Sequence, residues 1–210
     1  MGMKLIELWA QGTRPMLQNR PTAKSLAGDT RSNAPGEKAD PRDIAEEHVY
    51  RLKDRQLYFP SAGIQRATRE AGGNHKAKGS RKTLKYLVPA AIVPIEDEMP
   101  IFLNDRKTKV FEYDVDSRPV TIPATKGRVM RHRARIEEWT VRCRLRINET
   151  LMSEDLVRTL VIEGLQQYGL GDNRPSFGLA DLVSWEIISE RKPKSEAQAF
   201  AAGELRDAAE

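Results

Sequence analysis

The clearest pattern in the chain is the stretch KGRVMRHRARIEEWTVRCRLRI, which runs from Lys126 to Ile147. From Trp139 onward, apolar residues take every second position and polar residues, mostly arginines, take the positions between them. Alternation with a period of two is typical of a β-strand with one buried face, so the arginines should share the opposite face. The arginines of this strand are Arg142, Arg144 and Arg146.

The first half of the same stretch is also basic, and its last three arginines again alternate. Glu137 and Glu138 would then form the turn between two paired, arginine-rich strands. Like charges that face each other across strands repel, so such a surface favours an anion or carboxylates placed against it. Guanidinium groups bind phosphate and stack on bases, which favours a nucleic-acid surface. A solvated face with acidic partners from elsewhere in the fold is the alternative. The arginines of the first strand are Arg128, Arg131, Arg133 and Arg135.

Length and composition suit one soluble domain. We predict a single domain over 1–189, with a long loop at 11–40 and a polar, disordered tail at 190–210. The net charge of +5 matters for binding only if it concentrates on one surface. The aromatic residues are scattered along the sequence rather than clustered, so stacking alone is not expected to drive binding.

Cysteine content and hydropathy exclude several classes of protein. A single cysteine, Cys143, rules out an internal disulfide and a cysteine-based zinc site, and it is expected to be buried. No stretch approaches the ~20 apolar residues that a membrane span requires. We therefore expect a cytoplasmic protein without membrane attachment, and no motif in the sequence indicates a cofactor.

The order of elements predicts an α+β protein with a ferredoxin-like (RRM-like, split βαβ) core and insertions. An opening strand at 3–10 precedes the long loop, and Asp40 with Pro41 begins a short helix. Two longer helices are predicted, one starting at Pro60 and Ser61 and the other at Glu154 after Ser153. The remaining predicted strands are at 56–59, 87–95, 110–113, 120–122 and 179–188.

Two segments next to the longer helices have anion-binding features. Ser61, Gly63 and Arg66 lie at a helix N-terminus, where free N–H groups and the helix dipole favour an anion; simple capping by Ser61 is the alternative. The decapeptide at 169–178 follows a helix, so an anion there would need Arg174 and backbone N–H groups near Gly171. Its alternative role is helix termination followed by a tight return into a strand.

These two segments, separated by the arginine strands, resemble motifs of the repeat-associated mysterious protein (RAMP) superfamily. The resemblance is to backbone subunits of CRISPR effector complexes and to their solitary phage-encoded relatives. Tyr58–Arg66 keeps the proline, a serine and the apolar residue of the first family motif, but not its first glycine. Gly169, Gly171 and Gly178 resemble the glycine-rich turn, and the segment at 12–17 resembles the opening of phage proteins of this type.

The resemblance implies a ferredoxin-like core and a groove for single-stranded RNA or DNA. It also implies a tendency to stack into filaments, as a homo-oligomer or as a subunit of a larger complex, in a phage or CRISPR-related setting within a bacterial or archaeal host cell. We expect a non-enzymatic protein, because the histidines are too dispersed for a catalytic triad and no His, Asp or Glu cluster has metal-ligand spacing. Some relatives cleave RNA with an aspartate of an early loop, where this chain has Asp29 and Asp40. One alternative to the binding role is metal-independent RNA cleavage, with a histidine paired with Tyr50 or Tyr58 as the general base. A protein-interaction subunit that mimics a CRISPR backbone subunit is another. The histidines are His48, His75 and His132.

Overall fold

The computed structural model describes residues 2–23, 40–121 and 126–188. Its strands form two antiparallel sheets, and the helices are few and short, so the protein is α+β. Asp29, most of the predicted long loop and the tail at 190–210 lie outside the described residues. Among the described residues, no helix has the length and apolar character needed to cross a membrane.

The strands and helices are numbered in chain order. The strands are β1 (Met3–Gly12), β2 (Met16–Gln18), β3 (Tyr58–Pro60), β4 (Ile92–Pro94), β5 (Glu98–Phe102), β6 (Asp114–Thr121), β7 (Arg128–Ile136), β8 (Thr140–Asn148) and β9 (Ala180–Ile188). The helices are α1 (Pro41–Glu47), α2 (Ala62–Ala71), α3 (Val88–Ala91) and α4 (Glu154–Glu163). A π-helical segment, Gly164–Tyr168, continues α4, and 3₁₀ turns lie at Gly72–Asn74 and Leu84–Tyr86.

The larger sheet has six strands in the order β3, β5, β8, β1, β9, with β4 pairing with β8 on the same side as β5. The long strands β1 and β8 lie at its centre, and β9 forms one edge. One face of β1 and β8 is fully buried because Ile6, Leu8, Val141 and Leu145 point into the core. The opposite face of these strands carries the arginines of β8.

Helices α2 and α4 provide the other half of this core. The buried face of α2 includes Ile64 and Ala67, and that of α4 includes Leu160 and Val161. The helices approach each other closely at Gly164, where a Cβ atom would lie only 2.7 Å from the backbone carbonyl carbon of Ala67. The glycine therefore allows backbone contact between the two helical segments.

The smaller sheet has the order β2, β7, β6, so β6 is an edge strand. Helix α1 packs on one face of this sheet, where Ala134 and Ile136 of β7 are buried together with Ala45 of the helix. Asp40 caps α1 by accepting a hydrogen bond from the N–H of Arg42 at 2.8 Å. The other face of the sheet carries the alternating arginines of β7.

A corner formed by Trp139 joins the two sheets. Two of the connections between the sheets matter here, the one from β1 to β2 and the one from β7 to β8. Trp139 lies in this second crossing and is fully buried. Its carbonyl accepts a hydrogen bond from the N–H of Gly12 at 2.8 Å, and its indole N–H donates to the carbonyl of Arg14 at 2.9 Å. The two crossings are therefore tied to one another.

The structure confirms several predicted elements. The opening strand, the capped helix at Asp40, both longer helices and the closing strand are present within one or two residues of the predicted positions. The buried residues of α2 are Ile64, Ala67, Thr68 and Ala71, whose spacing in the sequence predicts a single helix face.

Other predictions were wrong. The two arginine strands do not pair, because β7 belongs to the small sheet and β8 to the large one. The predicted strand at 87–95 begins as helix α3, since Pro89 suits the first turn of a helix, and only Ile92–Pro94 is extended. A single strand, β6, occupies 114–121 in place of the strands predicted at 110–113 and 120–122. The loop predicted at 11–40 contains β2.

Replacement of Gly12 by alanine tests the corner. A Cβ atom at this position would lie 2.3 Å from the Nε1 atom of Trp139, which is buried and cannot move away without disrupting the core. We expect Gly12→Ala to lower the free energy of unfolding by about 1 to 3 kcal/mol, as overpacking does elsewhere. The measurement is urea-induced unfolding followed by circular dichroism.

The matched control is Gly2→Ala, because a Cβ atom at Gly2 would have no neighbour within 4 Å. This variant should stay within about 0.5 kcal/mol of the unsubstituted protein. Equal stability of the Gly12→Ala and Gly2→Ala variants would show that the corner is not tightly packed.

Candidate nucleic-acid interface

The three arginines of β8 lie in a row on the face of the large sheet opposite α2 and α4. The two residues between them, Cys143 and Leu145, are buried on the side of the helices. The predicted alternation in this strand is therefore confirmed. We call the surface around Arg142, Arg144 and Arg146 the outer face.

The strands beside β8 supply the rest of the outer face. On β1, Trp9 lies opposite Arg142, Glu7 opposite Arg144 and Leu5 opposite Arg146. On the other side, Val93 of β4 also lies opposite Arg146. The arginine row therefore runs between one acidic and three apolar neighbours.

Carboxylates neutralise this row unevenly. Arg144 forms a short ion pair with Glu96, and this hydrogen bond raises the pKa of Arg144 above its usual value. Arg142 is half exposed, and its Nη1 atom is 4.0 Å from Glu7, the outer limit of an ion pair. Arg146 is exposed and forms no ion pair within the described part of the chain. Arg142 and Arg146 are thus the cations most available to an external anion.

The arginines of β7 have a different environment. Arg133 is buried and lies opposite Asp116 of β6, and its Nε atom donates a hydrogen bond of 2.6 Å to Asp172. Arg135 lies opposite Asp114 and forms an ion pair of 2.7 Å with Glu137. These two arginines therefore have internal partners, as in the alternative that the sequence left open. The exposed arginines of this strand are Arg128 and Arg131.

Arg118 of β6 lies on the same face of the small sheet as Arg133 and Arg135. Arg118 of β6 donates to the Asp116 carboxylate at 2.6 Å, and this bond lowers the pKa of Asp116. The guanidinium of Arg118 also lies over the ring of Phe177, 4.5 Å from its centroid. The arginine face of the small sheet is therefore packed against the segment at 169–178, since Asp172 and Phe177 both belong to it.

The glycine-rich segment is shaped by its contacts with the β1–β2 connection. The N–H of Asp172 donates to the carbonyl of Leu17 at 2.8 Å. Gly171 has a φ of 85°, and a Cβ atom there would lie 2.5 Å from the same carbonyl oxygen. Arg174 is largely buried and bonds to Glu70 of α2 at 3.2 Å. Both predicted binding residues of this segment, Gly171 and Arg174, thus have structural contacts.

The first motif is also held by internal packing. Ser61 is buried at the start of α2, but its hydroxyl forms no capping hydrogen bond. A Cβ atom at Gly63 would lie 2.3 Å from the ring of Phe59, so the glycine lets this ring pack against the helix. Arg66 is exposed and pairs with Glu70. The predicted anion site at this helix stays a prediction.

Sequence reasoning missed an aromatic pair on the outer face. Trp9 and Phe102 come from β1 and β5, and their ring centroids are 5.8 Å apart. The two residues are far apart in the sequence, and the pairing of distant strands in the sheet brings them together. The sequence signal for Trp9 was the alternation in β1, which places it on the face opposite the buried Leu8 and Ala10.

The described residues do not assemble a recognisable hydrolytic site. Each histidine hydrogen-bonds to a different group at 2.7 Å: His48 to the carbonyl of Arg20, His75 to Glu163 and His132 to Ser117. Tyr50 and Tyr58 contact each other rather than a histidine. Within residues 2–23, 40–121 and 126–188, no three metal-ligating side chains of the His, Cys, Asp and Glu types cluster. Burial raises the pKa of the Cys143 thiol to about 12, which disfavours a thiolate nucleophile.

Comparison with known proteins finds structural similarity at low identity and low TM-score. No protein-family model and no curated protein matches the chain. It is similar to a chain in the cryo-EM structure of the Type III-B Cmr-beta bound to cognate target RNA, at 10% identity and a TM-score of 0.48. That alignment covers 90% of this chain but spans only 61% of the Cmr-beta chain. The crystal structure of Cmr6 from Pyrococcus furiosus is similar at 8% identity and a TM-score of 0.45, with coverages of 87% and 98%.

Replacement of Asp172 by alanine tests whether Arg133 is a structural residue. The side chain of Arg133 is 9% exposed, so loss of the Asp172 carboxylate would leave a buried cation with one carboxylate fewer. We expect Asp172→Ala to lower the free energy of unfolding by about 2 kcal/mol, less than for a fully enclosed pair because Asp172 is partly exposed. Urea unfolding measures the change.

Two further variants give this test its controls. Asp54→Ala breaks the exposed ion pair with Lys109, so it should destabilise the protein less than Asp172→Ala. Addition of Arg133→Met to Asp172→Ala removes the unpaired charge and should recover part of the lost stability. An Asp172→Ala protein as stable as the unsubstituted one would contradict the structural role of the pair.

Proposed function

We propose that this protein binds single-stranded nucleic acid, RNA or DNA, along the outer face of its large sheet. The observation that carries the proposal is the row formed by Arg142, Arg144 and Arg146 on the face that α2 and α4 leave uncovered. Side chains two residues apart along a strand are about 6 to 7 Å apart. That spacing lets neighbouring guanidinium groups contact successive phosphates of an extended strand.

The ion pairs of the row do not prevent this role. Exposed ion pairs contribute little to stability, so a phosphate can replace the distant Glu7 carboxylate at Arg142 with little loss. Arg146 needs no such exchange. Arg144 differs, because its bond to Glu96 fixes the guanidinium in one position. We therefore assign the main phosphate contacts to Arg142 and Arg146, with Arg144 holding the centre of the row.

Exposed arginines elsewhere provide candidate secondary contacts. Arg128 and Arg131 lie at the exposed end of β7, and Arg66 projects from α2. The partners of Arg133, Arg135 and Arg174 favour structural roles for these three residues. We therefore include Arg128 and Arg131 of β7 in the proposed path of a nucleic acid that extends past the outer face.

We also propose that the chain is a RAMP-type protein with a ferredoxin-like core. In support, β1, α2, β4 with β5, β8, α4 and β9 follow one another as a βαββαβ sequence. The two family-like segments at 12–17 and 169–178 contact each other, since Gly178 N–H donates to the carbonyl of Pro15 at 2.8 Å. A phage or CRISPR-related setting, and assembly into homo-oligomers or a larger complex, belong to the same proposal.

The salt dependence of binding tests the arginine row. Labelled single-stranded RNA and DNA are titrated with the protein between about 50 and 200 mM salt, and log affinity is plotted against log salt concentration. We expect the double variant Arg142→Ala/Arg146→Ala to bind more weakly. Its slope should be flatter by about 1.4, because each phosphate contact to a single strand contributes about 0.7.

The matched control is Arg69→Ala/Arg158→Ala, which removes the same charge from exposed positions on α2 and α4. This control should keep the slope of the unsubstituted protein, because its charges lie on the helical side. A slope that is the same for both double variants would reject the outer face as the binding surface. No binding of either nucleic acid by the unsubstituted protein would favour the protein-interaction role.

A further inference from the structure

Trp9 differs from the other two tryptophans of the chain. The indole N–H groups of Trp139 and Trp185 are engaged, the first with the carbonyl of Arg14 and the second with Glu154 at 3.0 Å. Trp9 is half-buried on the outer face, and its indole N–H has no hydrogen-bond partner among the described residues. Its ring therefore has no structural anchor of the kind that holds the other two.

Neighbouring side chains orient the Trp9 ring. Phe102 meets it at an interplanar angle of 55°, so the phenyl ring supports one edge of the indole and does not stack on its face. On β8, the residue opposite Trp9 is Arg142, and on β9 it is Ser184. The indole thus borders the arginine row, beside one of the two arginines assigned to phosphate contacts.

A rigid turn places one more cation at this position. Asp105 accepts hydrogen bonds of 2.8 Å from the N–H groups of Lys107 and Thr108, which closes the turn after β5. Arg106 occupies its tip with a φ of 60°, and its N–H donates to the carbonyl of Leu103. The guanidinium of Arg106 lies 5.9 Å from the centroid of the Trp9 ring.

An aromatic ring surrounded by guanidinium groups matches the chemistry of an unpaired nucleotide. Bases stack on aromatic rings and on guanidinium planes, and the phosphate beside the base needs a cation within reach. A base inside a duplex is already stacked on both sides, so it cannot lie on the indole. Apolar peptide side chains would also pack on the ring, but they would leave Arg142 and Arg106 without an anion.

We propose that Trp9 is the stacking residue for an unpaired base and that Arg142 contacts the adjacent phosphate. The Arg106 guanidinium, which lies over the indole ring in the free protein, moves outward and covers the base. This inference rests on the proposed function and adds to it the reason why a single strand is preferred over a duplex. Phe102 acts as a positioning residue, because it supports the indole from its edge.

Substitution of Trp9 separates stacking from charge. Trp9→Leu keeps an apolar side chain on the sheet but removes the aromatic face. We expect its affinity for single-stranded RNA or DNA to fall about 5- to 100-fold, in line with the loss of one stacked base, while the salt slope stays unchanged. Trp9→Phe should recover most of the affinity, and binding to a duplex should not change in either variant.

Intrinsic fluorescence gives an independent readout of the same contact. Addition of unlabelled single strand should quench the tryptophan emission of the unsubstituted protein, because a base stacked on Trp9 quenches it. The Trp9→Phe variant should bind with little quenching, since Trp139 is fully buried and Trp185 bonds to Glu154 on the helical side. Tyr86→Leu is the matched control, because it removes an aromatic residue that is 71% exposed and lies in the 3₁₀ turn Leu84–Tyr86.

The outcomes distinguish this inference from the proposed function. Unchanged affinity of Trp9→Leu, together with a flatter salt slope for Arg142→Ala/Arg146→Ala, would overturn the stacking role and leave the proposed function intact. Absence of binding by the unsubstituted protein would overturn both. Urea unfolding of each variant identifies a folding defect. If Trp9→Leu has such a defect, the affinity and the fluorescence quenching of Trp9→Phe test the stacking role instead.

Discussion

The buried corner at Trp139 is the constraint on which the rest of this structure depends. Two connections between the sheets meet there, and one residue bonds to both sides of the other connection, at Gly12 and Arg14. With the sheets joined in this way, the acidic pair at 137–138 connects strands of two different sheets instead of closing a hairpin. The separation of the two arginine strands follows directly from this corner.

That separation gives identical side chains two physical roles. On β7, Arg133 is buried against the glycine-rich segment, and its burial demands carboxylates, which Asp116 and Asp172 supply. On β8, Arg142 and Arg146 lie on the face opposite the helices and keep contact with water, so no such demand exists for them. The difference lies in what packs against each strand, because the residue spacing is the same in both.

Sequence periodicity predicted what is local in this fold. The capped helix at Asp40 and Pro41, the buried stripe of α2 and the alternation in β8 all depend on residues a few positions apart. Strand partners depend on contacts between distant segments, so the pairing of β7 with β6 and of β8 with β1 could not be read from either strand alone. The aromatic pair of Trp9 and Phe102 was missed for the same reason.

The glycines, too, show the difference between what a local pattern predicts and what distant contacts decide. Their positions in the sequence predict close approach of a phosphate, yet at Gly63 and Gly171 the space that a Cβ atom would fill is occupied by the protein itself. A glycine reports that something comes close to the backbone, but it does not say what. Identifying the neighbour required the packing of Phe59 against α2 and of Leu17 against the turn.

Two of the edge strands, β6 and β9, differ in how they would respond to another β-strand. The edge strand of the small sheet, β6, contains Pro119, which has no N–H to donate, next to the charged Arg118. Such residues discourage edge-to-edge association. The edge strand of the large sheet, β9, contains no proline between Ala180 and Ile188. Proline and charge therefore hinder strand addition at β6, whereas the backbone of β9 has no proline that would block a pairing strand.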